Sequence, residues 1–457
     1  MKNMNRILVV VIFLSASFLY SQQTDQKSLA ITVYNQNLGV VKDVRIMDIK
    51  SGISNIAITD VAQNIDATSV HMKLNGEVLE QNYQYDLVSL YKILNKYLDK
   101  DIQLLNENNE MIEGTLLSAT SSQIVLRKKD GGLLMLPSMD KYRISVNSLP
   151  EGLITKPTLL WMVSAPKSGK QDVEISYQTS GMNWHAEYVA VLNNDDSKMD
   201  LNSWVSIENN SGTTYKNAKL KLVAGDLNIV KVPNNLYRYY EYDAAPQKSI
   251  GGADQFKERS FFEYHIYDLQ RRTTLSQNET KQISLFETPG IKVFKKYFFN
   301  SGYTGSTSIN NKVAVVVEFE NTKENGLGIP MPKGKVRVYK TDGESNEFVG
   351  EDMIDHTPNK EKISLKIGDA FDILADLVQT EYKKISDKVI ESSYEITIKN
   401  RKKEDVVVDV ERNLGLNWEI LDSSISYKKK DAQTIVFQVP VKKDSDTVLK
   451  YKVRYTY

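Results

Sequence analysis

Cysteine is missing from all 457 residues, histidine occurs four times and proline only 11 times. Without thiols there is no disulfide framework, no lipid-anchored cysteine and no cysteine nucleophile or cysteine metal site. His71, His185, His265 and His356 are scattered through separate segments, so a catalytic imidazole or a zinc site would have to draw on these or on carboxylates. A surplus of one charge is missing too, with 58 Lys and Arg against 58 Asp and Glu. Nucleic-acid binders and polybasic membrane-surface proteins carry a basic excess, and neither class is expected here. There is no Gly-x-Ser-x-Gly elbow and no His-Glu-x-x-His. Ser168-Gly169-Lys170 has Ser164 where a phosphate loop needs its first glycine, and Asn193–Asp200 lacks the spacing of a calcium loop. No cofactor, no metal site and no catalytic residue is assigned.

The start of the chain reads as an export signal. Lys2 and Arg6 precede the apolar run Ile7–Leu14, and small residues follow near Ser15–Ser21. The run is too short to span a bilayer, which predicts cleavage near Ser21–Gln22 and an exported protein, periplasmic or at the cell surface. Removing Lys2 and Arg6 leaves 56 basic against 58 acidic residues. No later apolar stretch approaches the roughly 20 residues of a spanning helix, so no transmembrane span is expected in the mature chain.

Period-two alternation dominates the remainder, the mark of half-buried strands. Val173, Ile175 and Tyr177 alternate with polar residues; Met182, Trp184, Ala186, Tyr188 and Ala190 share a face; Leu449, Tyr451, Val453, Tyr455 and Tyr457 close the chain. Val313–Val317 is apolar on both faces, as a central strand is. Turn residues at 193–196, 342–343 and 401–405 separate alternating runs. The expected class is mainly β, with two antiparallel sandwich-like domains. One helix is predicted from the stripe Leu87, Leu90, Tyr91, Leu94, Tyr97 and Leu98, with Asp86 as its N-cap. Five short runs between Ile102 and Val146 then suggest a small SH3- or Sm-like barrel. The spacing of Phe371, Leu374, Leu377 and Val378 is helical, although the flanking runs read as strand. The expected organisation is a leader at 1–21, an N-terminal β segment at 22–82 completing the first sandwich, and the helix plus barrel at 83–150. The first sandwich proper follows at 151–300, with a surface excursion at 232–260, and a C-terminal sandwich occupies 301–457.

Several of these segments resemble a known family. Tyr177, Gly181, Trp184 and Tyr188 have the spacing of the bacterial domain-of-unknown-function 4139 family, whose relatives include mucoidy-inhibitor-like proteins. Trp204 through Gly225 is similar to the strand pair that follows, and Leu327-Gly-Ile-Pro-Met-Pro-Lys-Gly334 to the family's proline-rich turn. Val33–Asn35, Asp60–Val70, Tyr394–Asn400 and Val406–Trp418 extend the likeness. The mucoidy-inhibitor-like members carry a long coiled-coil arm, which this chain replaces with the segment 83–150. The resemblance implies a mostly β fold and an envelope location, and brings no catalytic residues.

Two groups of residues stand out for binding. His185 and Glu187 lie two apart on the face opposite Trp184, so both can point at one ligand. Tyr237, Tyr239, Tyr240 and Tyr242 crowd together, and exposed tyrosines stack on sugars or partner proteins. The proline-rich turn reads as a structural corner, and Trp184 and Trp204 as sandwich core. The leading expectation is a non-enzymatic envelope protein that binds a protein or glycan, of unknown oligomeric state. A carboxylate-dependent glycan or peptide hydrolase is the alternative. A third reading, an outer-membrane barrel, rests on the alternating final strand that ends at Tyr457.

Overall fold

A computed structural model describes residues 25–85, 89–120, 123–136, 141–148, 150, 153–225, 227–228, 255–303, 312–415 and 417–457. The expected leader at 1–21 lies outside these residues. The alternating runs are strands, and the chain is mainly β, built from several stacked sheets. An eight-stranded sheet runs Phe256–Phe261, Tyr264–Leu269, Tyr215–Ala224, Asp25–Tyr34, Leu38–Ile49, Gly169–Thr179 and His71–Lys73, with Thr273–Leu275 paired beside Tyr215–Ala224. A five-stranded sheet runs Glu279–Lys292, Lys198–Asn209, Met182–Leu192, Gly334–Thr341 and Asn346–Ile354. Their inner faces share one core, in which Val33, Ile175 and Leu220 of the first meet Trp184, Tyr188, Val205 and Val338 of the second. Gly52–Ile58, Thr158–Ala165 and Glu77–Gln84 form a three-stranded sheet that adds Ile56, Leu159 and Trp161 to the same core.

The strands between 334 and 354 lie within the segment expected to form the C-terminal sandwich, yet they hydrogen-bond to the five-stranded sheet. Gly334–Thr341 runs parallel to Met182–Leu192, with Ala186 opposite Gly334 and Leu192 opposite Lys340. A Cβ at Gly334 would meet the Ala186 carbonyl oxygen, so the parallel ladder can start there only with glycine. Within the expected excursion, residues 256–260 belong to a strand, while 229–254 lie outside the described residues.

Nine further strands form one sheet, from Trp418–Ser423 and Ser445–Thr456 at one edge to Thr434–Val441 and Tyr427–Lys429 at the other. It folds back on itself, bringing Phe437 and Tyr451 from opposite ends of the order to 5.3 Å between ring centroids. Leu449, Tyr451 and Val453 of the last long strand fill this second core. The apolar face that suggested a lipid-exposed barrel strand is therefore buried in protein, and among the described residues the sheets close no barrel.

Lys312–Glu320 is a central strand, as its two-sided apolarity predicts, and it joins the two cores. Val313 belongs to the second core, Val317 and Phe319 to the first. Its partner Lys362–Ser386 does the same, with Ile363 and Leu365 in the first core and Ile373, Ala375 and Leu377 in the second. The register jumps from Ala314 opposite Asp369 to Lys312 opposite Leu374, so residues 370–373 bulge out. The residues at helical spacing share no face: Phe371 is 95% exposed, and burial instead alternates through Ile373, Ala375 and Leu377. The segment is strand throughout.

Residues 90–96 form the helix, capped by the Ser89 side chain, which accepts from the Lys92 amide at 3.3 Å. Asp86, the expected cap, lies outside the described residues. Leu94 and Tyr97 pack on the sheet Arg143–Ser145, Asp101–Leu105, Met111–Ala119, Ile124–Arg127 and Leu133–Leu136. Among the described residues this sheet stays open, because the three-residue and four-residue strands at its edges form no ladder with each other.

Three buried asparagines close strand ends. The Asn209 amide donates to the carbonyls of Thr213, Leu275 and Ser276, and its oxygen accepts from Ser211. Asn321 donates to Ile329 and Pro358 and accepts from Gly328. Asn400 donates to Glu404, Val441 and Lys442 and accepts from Lys402. Each satisfies carbonyls that a turning chain would otherwise bury unpaired. Asn400→Ala removes all four bonds and is expected to lower unfolding free energy by about 2–4 kcal/mol, read by chemical denaturation.

Ion pairs tie the sheets. Asp196, in the turn after Met182–Leu192, accepts from Lys295 at 2.7 Å and from Lys340. Glu318 pairs with Lys296 and Lys362, on the two strands beside its own. Burial alone would raise both carboxyls, but the lysine hydrogen bonds outweigh it and hold them below their ordinary values. Folded carboxyls thus give up protons more readily than unfolded ones. Their stabilisation is complete above the ordinary carboxylate range of about 4 and is lost as pH falls through the lower folded-state values. The denaturation midpoint should hold between about pH 5 and 7 and fall below about pH 4. Asp196→Asn should reduce that fall; an unchanged acid profile would contradict the assignment.

Candidate functional site

His185 and Glu187 do come together, His185 Nε2 lying 3.1 Å from Glu187 Oε1. They share the outer face of the five-stranded sheet. The other Glu187 oxygen accepts from Arg337 at 2.5 Å, and Arg337 also approaches Glu351 at 3.7 Å. Burial raises the Glu187 carboxyl, but the hydrogen bond of His185 and the charge of Arg337 together hold it below its ordinary value. Both carboxylate oxygens are engaged, which suits a cross-strand clamp better than a catalytic base. Trp184 is core at 1% exposed, whereas Trp204, directly opposite Glu187, lies half-buried on the outer face. A strand in a two-layer stack has one core face, and Val205 and Ile207 occupy it. Tyr237, Tyr239, Tyr240 and Tyr242 lie outside the described residues.

A different group of residues builds a cleft of ≈ 200 Å³. One wall is the hairpin Phe256–Phe261 and Tyr264–Leu269, which carries Glu263, His265 and Tyr267. The other is the proline-rich turn, with Pro330, Met331 and Pro332, backed by His356, Thr357 and Pro358. An antiparallel bridge between Met331 and Thr357 holds this wall together. Tyr267 is the floor: it packs edge-on to Trp184 at 6.0 Å, and its hydroxyl donates to the Pro330 carbonyl at 2.9 Å. Burial, then the nearby Glu258 charge, push the Tyr267 phenol far up, so it stays neutral.

Hydrogen bonds set both imidazoles. Glu258 lies 2.7 Å from His265 Nδ1, and a carboxylate there places the ring proton on Nδ1 and leaves Nε2 as an acceptor. His356 Nδ1 accepts the Lys333 backbone N–H at 3.1 Å, which puts that ring's proton on Nε2. Nε2 is 3.0 Å from the Asn35 amide group. An imidazole cannot accept at both nitrogens, so Asn35 presents its oxygen to that proton.

The hairpin tip beside the cleft is strained and apolar. Phe262 has φ 56° and is 80% exposed, next to Phe261 at 56%. A bulky residue in the left-handed region is uncommon, since glycine or asparagine fits there at lower cost. Tyr264 packs tilted against Phe262 at 6.1 Å, and Arg259 lies over the Phe261 ring at 5.4 Å. Gly225 lets the preceding strand pass close by, because a Cβ there would stand 2.5 Å from the Tyr264 ring. Sequence reasoning passed over Glu258 and Phe262, and met His265 and His356 only as two of four scattered histidines. The Phe261-Phe262-Glu263 run between alternating segments was the available signal.

Asp101 and Glu113, a carboxylate pair lining one cleft, are already committed. Asp101 accepts from Thr115 at 2.9 Å; Glu113 accepts from Lys129 and Gln103. The Lys129 bond, first, and its charge hold the Glu113 carboxyl below its ordinary value, the reverse of what a general acid needs. Among the described residues, no three His, Asp or Glu side chains are grouped to hold a metal.

Phe262→Asn should raise unfolding free energy by about 0.5–1 kcal/mol, because asparagine tolerates this backbone conformation and little buried area is lost. A drop in stability would show that the phenyl ring supports the fold. No curated protein matches the chain. Residues 173–457, which include every residue lining the cleft, match the domain of unknown function DUF4139, and the chain belongs to that family.

Proposed function

We propose that this is an exported cell-envelope protein that acts by binding a partner rather than by catalysis, and that the hairpin tip and adjoining cleft form its recognition surface. The supporting observation is Phe262, where conformational strain and an exposed aromatic ring coincide. Beyond its contact with Tyr264, folding gains little from a phenylalanine at φ 56° that is 80% exposed, whereas buried aromatic anchors dominate binding energy once a partner covers them. The export reading rests on the basic, then apolar, then small-residue order of residues 1–21. Consistent with it, no helix among the described residues is long and apolar enough to cross a membrane. His185, Glu187 and the tyrosines at 237, 239, 240 and 242 stay as secondary contact residues in this reading.

The test is in-cell crosslinking of the tagged protein, compared with the double variant Phe261→Ser, Phe262→Asn. The wild type should capture a recurrent partner at near-equal amount, and the variant should lose most of it while remaining folded by circular dichroism. Capture of the same partner in the same amount by both proteins would end the proposal.

A further inference from the structure

We infer that the cleft between the hairpin and the proline-rich turn receives the cationic side chain of a lysine or arginine from a polypeptide partner. This inference rests on the binding reading above and names the chemistry of its ligand. Its basis is that the polar side chains lining the cleft either accept hydrogen bonds or have already spent their hydrogens. His265 Nε2 carries a lone pair because its Nδ1 proton is directed at Glu258. The Tyr267 hydroxyl hydrogen goes to Pro330, and the Thr357 hydroxyl donates to Asp355 at 2.7 Å. His356 has its Nδ1 taken by Lys333 N–H and its Nε2 turned to Asn35. Glu263 adds a carboxylate at the rim. Pro330, Pro332 and Pro358 have no N–H to offer, so these wall positions supply apolar surface and no backbone donor.

No Lys or Arg lines the cleft, whereas Glu263 lines it and Glu258 stands behind His265. An anion would meet carboxylate repulsion and no free side-chain donor. A sugar hydroxyl would satisfy only its donor half, whereas ammonium and guanidinium groups are donors only, carried on apolar stems that suit proline walls. The size agrees: about 200 Å³ is below the 300 Å³ at which pockets for whole small molecules begin, and is room for one side chain. Phe261 and Phe262, beside the opening, would cover an apolar residue flanking the cation.

The test uses the full mature chain and blocked pentapeptides, Gly-Leu-Lys-Leu-Gly and the versions with arginine, norleucine or glutamate at the centre, read by calorimetry or fluorescence anisotropy. The lysine or arginine peptide should bind about tenfold or more tighter than the norleucine and glutamate peptides. Glu263→Gln and His265→Gln should each remove most of that preference, while Glu395→Gln, on the nine-stranded sheet, should leave it intact. Equal affinity for the lysine, arginine and norleucine peptides, or no binding of either cationic peptide by folded protein, overturns the inference. Those results would leave the binding reading standing if the crosslinked partner is still lost on changing Phe261 and Phe262. Retention of that partner by the double variant would instead remove the reading itself.

Discussion

The two larger hydrophobic cores depend on one antiparallel ladder, Lys312–Glu320 against Lys362–Ser386, because both are built on it. A strand offers its neighbours only two faces, so a strand serving two cores must hand one face from the first core to the second along its length. The bulged residues at 370–373 and the slip near Gly368 supply the bend that makes this possible. Asp196, in the turn after Met182–Leu192, pairs with Lys340 of the five-stranded sheet and Lys295 of the nine-stranded one, while Glu318 ties its own strand to both neighbours within the nine-stranded sheet. The two units share strands rather than a linker, so neither core can be completed without the other's ladder.

The outer sheet face and the cleft differ in how their hydrogen bonds are spent. On the outer face His185, Glu187, Arg337 and Glu351 satisfy one another, and exposed pairs of this kind contribute little beyond register. In the cleft, hydrogen bonds do not neutralise the side chains; they orient them, leaving acceptors aimed outward. Strain lies at the same place, in Phe262. Natural chains retain such strain where something other than stability selects it.

The Asn209, Asn321 and Asn400 clamps show a regularity that composition hides. Each stands at or just beyond the end of a long strand, as in Ile-Glu-Asn, Phe-Glu-Asn and Ile-Lys-Asn, and each bonds carbonyls from distant turns. The residues in this pattern are legible in the chain, but the carbonyls they serve lie up to 67 positions away and become visible only in three dimensions.

By itself the sequence determined the mainly β character, the central strand at 313–317 and the family, because alternation and motif spacing are local properties of the chain. It also marked the helical turn, although Ser89 and not Asp86 supplies the cap. Tertiary structure alone decided which strands pair, since a parallel neighbour such as Gly334–Thr341 beside Met182–Leu192 comes from 142 residues or more away and leaves no periodic trace. It decided that residues 370–378 are strand, by pairing 373–378 with 395–400 and burying Ile373, Ala375 and Leu377 on one face. It also assembled the cleft from a hairpin and a turn more than 50 residues apart, because hydrogen-bond direction and burial are set by neighbours in space and not by neighbours in sequence.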